Sequence, residues 1–249
     1  MKLNLNYIIL LCLTAGCAIS EPGDCFQNTG ELTNKTVNLS DFSRVIVREG
    51  IALELVQGTA NQLEIRYDEG LLDQITFEIT DGRLELNNTN GCSFFTGFKP
   101  AELRLTAVNL MEIRNASQYT IQSLDTLRFD SLTLISEDFL EDEVNVGDFN
   151  LVYKGANLSI ITNNVSNFDL SGTADILNLN FASGQGRLEA AALKAKSIRL
   201  FHRGTSDLVV HPIEEISGEI RGTGNVIVVN RPSLINVDEL YTGRLLFRD

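Results

Sequence analysis

Five carboxylates fall within seven residues at Glu137-Asp138-Phe139-Leu140-Glu141-Asp142-Glu143. Carboxylate oxygens are hard donors suited to Ca²⁺, and acids gathered beside an Arg or Lys are the equipment for cleaving acidic polysaccharides. A run of acids on a loop is ordinarily just solvated, however, so neither a metal site nor a catalytic residue is assigned to it. His202 and His211 are the only histidines. Neither stands in a ligand-spaced pattern, which argues against a histidine-based zinc site, and both are expected at the surface or at strand ends. No Gly-x-Ser-x-Gly elbow is present, and scattered serines nominate no Ser-His-acid triad. Gly184-Gln-Gly186 and Gly222-Thr-Gly224 lie between strand-like runs with no helix opening after them, so they do not read as phosphate loops. Asp175 and Asp207 close the corners Gly172-Thr-Ala-Asp175 and Gly204-Thr-Ser-Asp207, where a carboxylate oxygen can accept backbone N–H bonds. The expectation is therefore a non-enzyme without cofactor.

The cysteines carry a different chemistry. Lys2 is followed by the apolar run Tyr7-Ile-Ile-Leu-Leu-Cys-Leu13, and Leu13-Thr-Ala-Gly-Cys17 closes it. The apolar stretch is shorter than the ~20 residues of a spanning helix and has the build of a signal segment. Leu-Thr-Ala-Gly-Cys resembles the bacterial lipobox. That resemblance implies cleavage before Cys17, a diacylglyceryl thioether on its sulfur and stable anchoring by several acyl chains; a plain secretory signal cut elsewhere is the alternative. Cys25 and Cys92 are left over, and in an oxidising compartment they read as a disulfide worth about 4 kcal/mol. Two free thiols or a metal pair are the rival reading. The net charge of −13 gives no counterion release on a polyanion, so nucleic acid is not an expected partner, and no basic patch favours anionic lipid.

The elements that position these residues are strands. Apolar residues alternate with polar ones in Phe149-Leu151-Tyr153, Phe168-Leu170, Leu177-Leu179-Phe181, Ile198-Leu200 and Val226-Val228, which is the period of a strand with one buried face. Between them come polar, glycine-centred corners beginning at Gly155, Gly172, Gly184, Gly204 and Gly222, Gly172 reading as an extra turn. Recurrence at near-fixed spacing predicts a β-solenoid, in which stacked units bury what one alone cannot. Its abundant asparagines can stack as ladders. Leu188 to Ser197, rich in Ala and Lys, is the only helix-like piece and is expected to make one helical turn at most. Upstream, Val45-Val47, Leu53-Leu55, Leu63-Ile65-Tyr67 and Ile75-Phe77-Ile79 alternate, and Asp81-Gly82 before Leu84-Leu86 is a hairpin signal. The Phe94-Phe95-Thr-Gly-Phe98 cluster is expected to pack under its own loop beside Cys92.

Several stretches, taken in order, carry a resemblance to a known family. They are Phe42-Ser-Arg-Val-Ile-Val47, Leu53-Glu-Leu-Val-Gln-Gly58, Asp81-Gly-Arg-Leu-Glu-Leu86 and Ile216-Ser-Gly-Glu-Ile-Arg-Gly-Thr-Gly-Asn-Val226. The chain resembles the bacterial family named putative auto-transporter adhesin, head GIN domain, over roughly residues 42–232. The resemblance implies a parallel β-helix and an exported protein, often a lipoprotein, and brings no catalytic residues.

The expected organisation is an all-β chain folded as a right-handed parallel β-helix with an N-terminal antiparallel hairpin region. Residues 1–16 are the lipoprotein signal, 17–41 a lipidated tether, 42–107 the N-terminal β cap and 108–249 the β-helix with a C-terminal cap. The expected function is that of a non-catalytic, lipid-anchored cell-envelope protein, at the outer membrane, presenting an adhesive or scaffold surface to glycan or protein. Two other readings stand beside it: a polysaccharide lyase or hydrolase on the same body, which needs two or three acids and a base converging on one face, and a periplasm-facing lipoprotein serving a signalling or assembly partner.

Overall fold

The structure, a computed structural model, describes residues 30–90, 99–139 and 144–248. The described residues build one curled sheet of 17 strands with almost no helix. The first six strands are β1 (Leu32–Asn38), β2 (Arg44–Val47), β3 (Ile51–Gln57), β4 (Gln62–Asp68), β5 (Ile75–Thr80) and β6 (Arg83–Asn88). Strands β5 and β6 form the hairpin that Asp81-Gly82 announces. Both turn residues have positive φ, 51° and 72°, and this left-handed pair matches the twist of the strands it joins. Strand β1 pairs antiparallel with β4, so part of the stretch expected to be tether is strand.

The N-terminal region is not purely antiparallel. Next come β7 (Ala101–Ala107), β8 (Glu112–Asn115) and β9 (Ile121–Leu127). Strand β2 lies parallel between β6 and β8, and β3 lies parallel between β7 and β9. The chain's earliest rung is thus laid down between two later ones, and backbone pairing runs straight across residues 107–108.

Strand β10 (Ser131–Ser136) pairs with β8 above it and with the second half of β11 (Phe149–Thr162) below it. From there β12 (Asn167–Phe181), β13 (Arg187–His202) and β14 (Leu208–Ile220) stack in parallel, each directly on its predecessor. Phe149 sits beside Phe168, Leu177 beside Ile198, and Ile198 beside Ile216. The strands are long because each bends within its length. The register shifts between Asp169 and Gly172 and again between Glu189 and Lys194 mark the bends. Gly155 and Gly172 therefore lie inside strands, whereas Gly184, Gly204 and Gly222 lie at the turns that lead to the next rung. The extra turn expected at Gly172 is a bend of β12.

Period two decides the core. Leu158, Leu177, Ile198 and Ile216 form one inner column and are fully buried. Phe149, Phe168, Leu188, Leu208 and Val226 form a second, each at most 1% exposed, with the Phe149 and Phe168 rings stacked at 5.0 Å. Each such side chain contributes about 1.5–3 kcal/mol on burial. Leu188 to Ser197, expected to hold a helical turn, lies inside β13. Leu188, Ala190, Leu193 and Ala195 are buried there, and parallel partners on both sides override the weak helix preference of Ala and Lys.

The chain closes with β15 (Val226–Val228), β16 (Leu234–Glu239) and β17 (Leu245–Phe247). Strand β16 pairs in parallel with β14, and β17 with β15. The segment expected to cover the C-terminal end instead adds a last rung. Ile235 continues an inner column, yet it is 41% exposed because nothing among the described residues lies beneath it. Arg231 over the Phe247 ring, 4.1 Å from its centroid, gives partial cover.

Candidate functional site

The second halves of β11 to β14 present their out-of-phase residues on one outer face. Register aligns Ser159, Asn178, Arg199 and Ser217 in one row, and Ile161, Asn180, Phe201 and Glu219 in the next. All of these but Glu219 line a groove of about 730 Å³. Asn178 Nδ2 donates to Ser159 Oγ at 3.2 Å, which fixes one rim. Among the described residues no carboxylate lines the groove. Glu219, beside Phe201, is turned to Arg221 at 2.5 Å, which holds its carboxyl below the usual carboxylate range. Glu215 accepts from Ser197 Oγ at 3.4 Å.

Acids and bases do converge at a second place. Arg104 donates to Glu54 Oε2 through Nη2 at 2.9 Å and lies 3.6 Å from Glu64. Arg66 meets Glu102 at 3.1 Å, and Gln122 Nε2 donates to Glu54 Oε1 at 3.1 Å. The hydrogen bond to Glu54 raises the Arg104 pKa above its ordinary value. The space these groups enclose is about 90 Å³. Cross-strand guanidinium–carboxylate pairs this exposed are worth about 0–1 kcal/mol each, and their donors and acceptors are spent on one another.

Part of the acidic run has a structural task. Glu137, 5% exposed, receives Arg114 Nη2 on Oε1 at 2.6 Å and the Phe139 N–H on Oε2 at 2.6 Å. Arg114 Nη1 also donates to the Glu137 carbonyl at 3.1 Å. Asp138 accepts from Asn163 Nδ2 at 2.5 Å. Glu141, Asp142 and Glu143 lie outside the described residues, as do Cys17, Cys25, Cys92 and the Phe94–Phe98 cluster. Among the described residues no three His, Cys, Asp or Glu are grouped to hold a metal ion.

The corner aspartates divide. Asp207 Oδ1 accepts the Asn225 N–H at 2.8 Å and its Nδ2 at 3.1 Å, and Asp148 serves Asn167 in the same way. Asp175 instead pairs with Lys196 on the next rung at 2.7 Å. Asparagines do bond from rung to rung, to hydroxyl or carboxylate partners such as Ser131, Ser159 and Asp207.

His202, expected at the surface or at a strand end, is the last residue of β13 and is fully buried. It stands in phase with Ile198 and Leu200, so the alternation itself carried the signal. Its ring meets Phe181 edge-on at 6.1 Å and runs beneath the buried corner glycines; a Cβ on Gly224 would lie 2.6 Å from Nε2. Neither ring nitrogen has a hydrogen-bond partner among the described residues. Burial pushes its pKa below the ordinary value, against weaker opposing pulls from the nearby Ser206 and Gly224 backbone and from Asp207. The unfolded chain therefore takes up a proton near pH 6.5 that the folded one refuses, and stability falls as pH drops below that point, by at most about 1.4 kcal/mol per pH unit. His202→Leu is expected to flatten this limb of the stability–pH curve between pH 7 and 5, read by urea unfolding; an unchanged slope would refute the assignment. His211 is half-buried, with Nδ1 2.8 Å from the Ala191 carbonyl.

The family model described as putative auto-transporter adhesin, head GIN domain, matches residues 41–232. Among solved structures, a protein described as a putative adhesin from Bacteroides fragilis aligns with a TM-score of 0.76 at 19% identity, covering 88% of this chain and 97% of that one. A putative adhesin from Parabacteroides merdae aligns at 0.54 and 18% identity, with 88% and 97% covered. A putative lipid binding protein from Parabacteroides distasonis aligns at 0.56 and 15%, with 87% and 97% covered. At such identities these likenesses establish the fold alone. No curated protein matches the chain.

Proposed function

We infer, on the premise that this chain belongs to the putative auto-transporter adhesin, head GIN domain family, that it is a non-catalytic, lipid-anchored protein of the cell envelope whose long side face binds glycan or protein. The observation that carries the reading is that face: rung after rung in parallel register, with a groove that no carboxylate of the described residues lines, on a strongly acidic chain. The rungs are read as a right-handed parallel β-helix. Support comes from the repeated parallel pairing and from the strong preference of parallel crossovers for that hand.

Residues 1–16 act as the export signal, Cys17 carries the lipid, and Cys25 and Cys92 form a disulfide. Intact-mass measurement of protein extracted from membranes tests all three. The expected mass begins at Cys17, carries acyl chains and is two hydrogens lighter than the dithiol form, and Cys17→Ser moves the protein to the soluble fraction. An unacylated chain starting elsewhere would overturn the anchoring. Binding is tested by retention of the folded protein on immobilised glycans and extracellular proteins; no retention on either class would end the reading.

A polysaccharide lyase or hydrolase is favoured by one observation, the gathering of Glu54, Glu64 and Glu102 around Arg66 and Arg104. Cleavage of a uronic-acid polymer that Glu64→Gln abolishes would promote it.

A further inference from the structure

We propose that the groove on the outer face of β11 to β14 binds an anionic saccharide chain, with Arg199 meeting the carboxylate or sulfate of one sugar. The inference rests on the binding-surface reading and gives it a ligand class. The protein carries 33 acidic residues against 20 basic ones, yet among the described residues the only charged side chain lining this groove is Arg199. Its guanidinium makes no ion pair or hydrogen bond among the described residues. The nearby carboxylates are occupied elsewhere, Glu219 by Arg221 and Glu215 by Ser197. An uncommitted guanidinium is a fork of donors matched to a planar or tetrahedral oxyanion.

The surroundings favour sugar over protein. Asn178, Asn180, Ser159 and Ser217 supply small amides and hydroxyls, the adaptable donors and acceptors that sugar hydroxyls pair with. Asn180 is exposed and its amide is uncommitted among the described residues. Phe201, two residues along the same strand from Arg199, offers one aromatic face for the C–H side of a pyranose. A protein hot spot would instead need a buried aromatic cluster with a dry rim. Neighbouring strands lie about 4.8 Å apart, close to the advance of one sugar in an extended chain. A saccharide running along the stack therefore meets a new rung with each unit.

The test is titration of the folded protein with an oligogalacturonate, a sulfated dextran oligomer, a neutral cello-oligosaccharide of equal length and poly-glutamate. The anionic saccharides are expected to bind at least tenfold more tightly than the neutral one and than poly-glutamate, and added salt should weaken them. Arg199→Gln is expected to lose at least tenfold in affinity for the anionic sugars, and Asn180→Ala severalfold, with both unfolding midpoints unchanged. Equal binding of neutral and anionic sugars, or an Arg199→Gln protein that binds as well as wild type, overturns the assignment while leaving a binding surface in place. Poly-glutamate binding as tightly as the sugars overturns the saccharide. Retention on no surface of any class removes this inference and the broader one together.

Discussion

Gly218→Ala is expected to destabilise the protein by about 3 kcal/mol or more, read as a lowered urea midpoint. Gly218 has φ of +130°, and a Cβ there would lie 1.9 Å from the carbonyl oxygen of Leu200 on the preceding rung. Two costs add: a backbone conformation that L-residues avoid, and a clash with backbone that is itself held in the ladder. A flexible side chain can turn away, but a carbonyl bonded to its neighbour cannot. The control is Gly82→Ala in the β5–β6 turn. Its φ is +72°, but the added Cβ meets nothing within 4 Å, so only the left-handed penalty of about 1 kcal/mol remains. Equal losses at the two positions would show that rung-to-rung contact is not what constrains Gly218.

Glu137→Ala is expected to cost about 3–5 kcal/mol, because it strands a charge. Arg114 is 13% exposed and Glu137 6% by side chain, with 2.6 Å between their charged atoms. Removing the carboxylate leaves the guanidinium away from water with, among the described residues, the Glu137 carbonyl as its remaining partner, and frees the Phe139 N–H as well. Replacing both partners, Arg114→Met with Glu137→Leu, removes the stranded charge and should cost less than Glu137→Ala alone. A double-mutant cycle by urea unfolding decides; strict additivity would mean that the two side chains do not depend on each other. Glu137 is thus committed to the fold, its two carboxylate oxygens taken by Arg114 and the Phe139 N–H.

Much of the strand content was legible because side-chain period survives in the sequence. Phe168, Leu170, Leu177, Leu179 and Phe181 alternate as written, and with Ala174 they are the buried positions of β12. The Asp81-Gly82 hairpin was legible too, since the conformation it needs is one few residue pairs accept. What period cannot report is which strand pairs with which. Placing β2 between β6 and β8 depends on contacts between segments far apart in sequence, and no local pattern encodes them. Glycine has a similar ambiguity: Gly172 and Gly184 look alike in sequence, but one bends a strand and the other turns a corner. Leu188 to Ser197 misled because Ala and Lys speak for the isolated segment, whereas neighbours on both sides settle its conformation. For the groove, each strand declares its outward residues, but the row joining Ser159, Asn178, Arg199 and Ser217 exists only once the register is known.

The interleaving of β2 and β3 has a consequence for shortening or rewiring the protein. From β11 to β17, each strand's partners are the next stretches of chain, so cutting from the C-terminus peels away one layer and merely bares the one above. The other end admits no such trimming. A fragment ending before residue 112 leaves β2 without β8, and one beginning after residue 57 removes the layer that joins β6 and β7 to everything downstream. The early segment is a keystone, set between blocks that are made after it, and new modules belong at the opposite terminus.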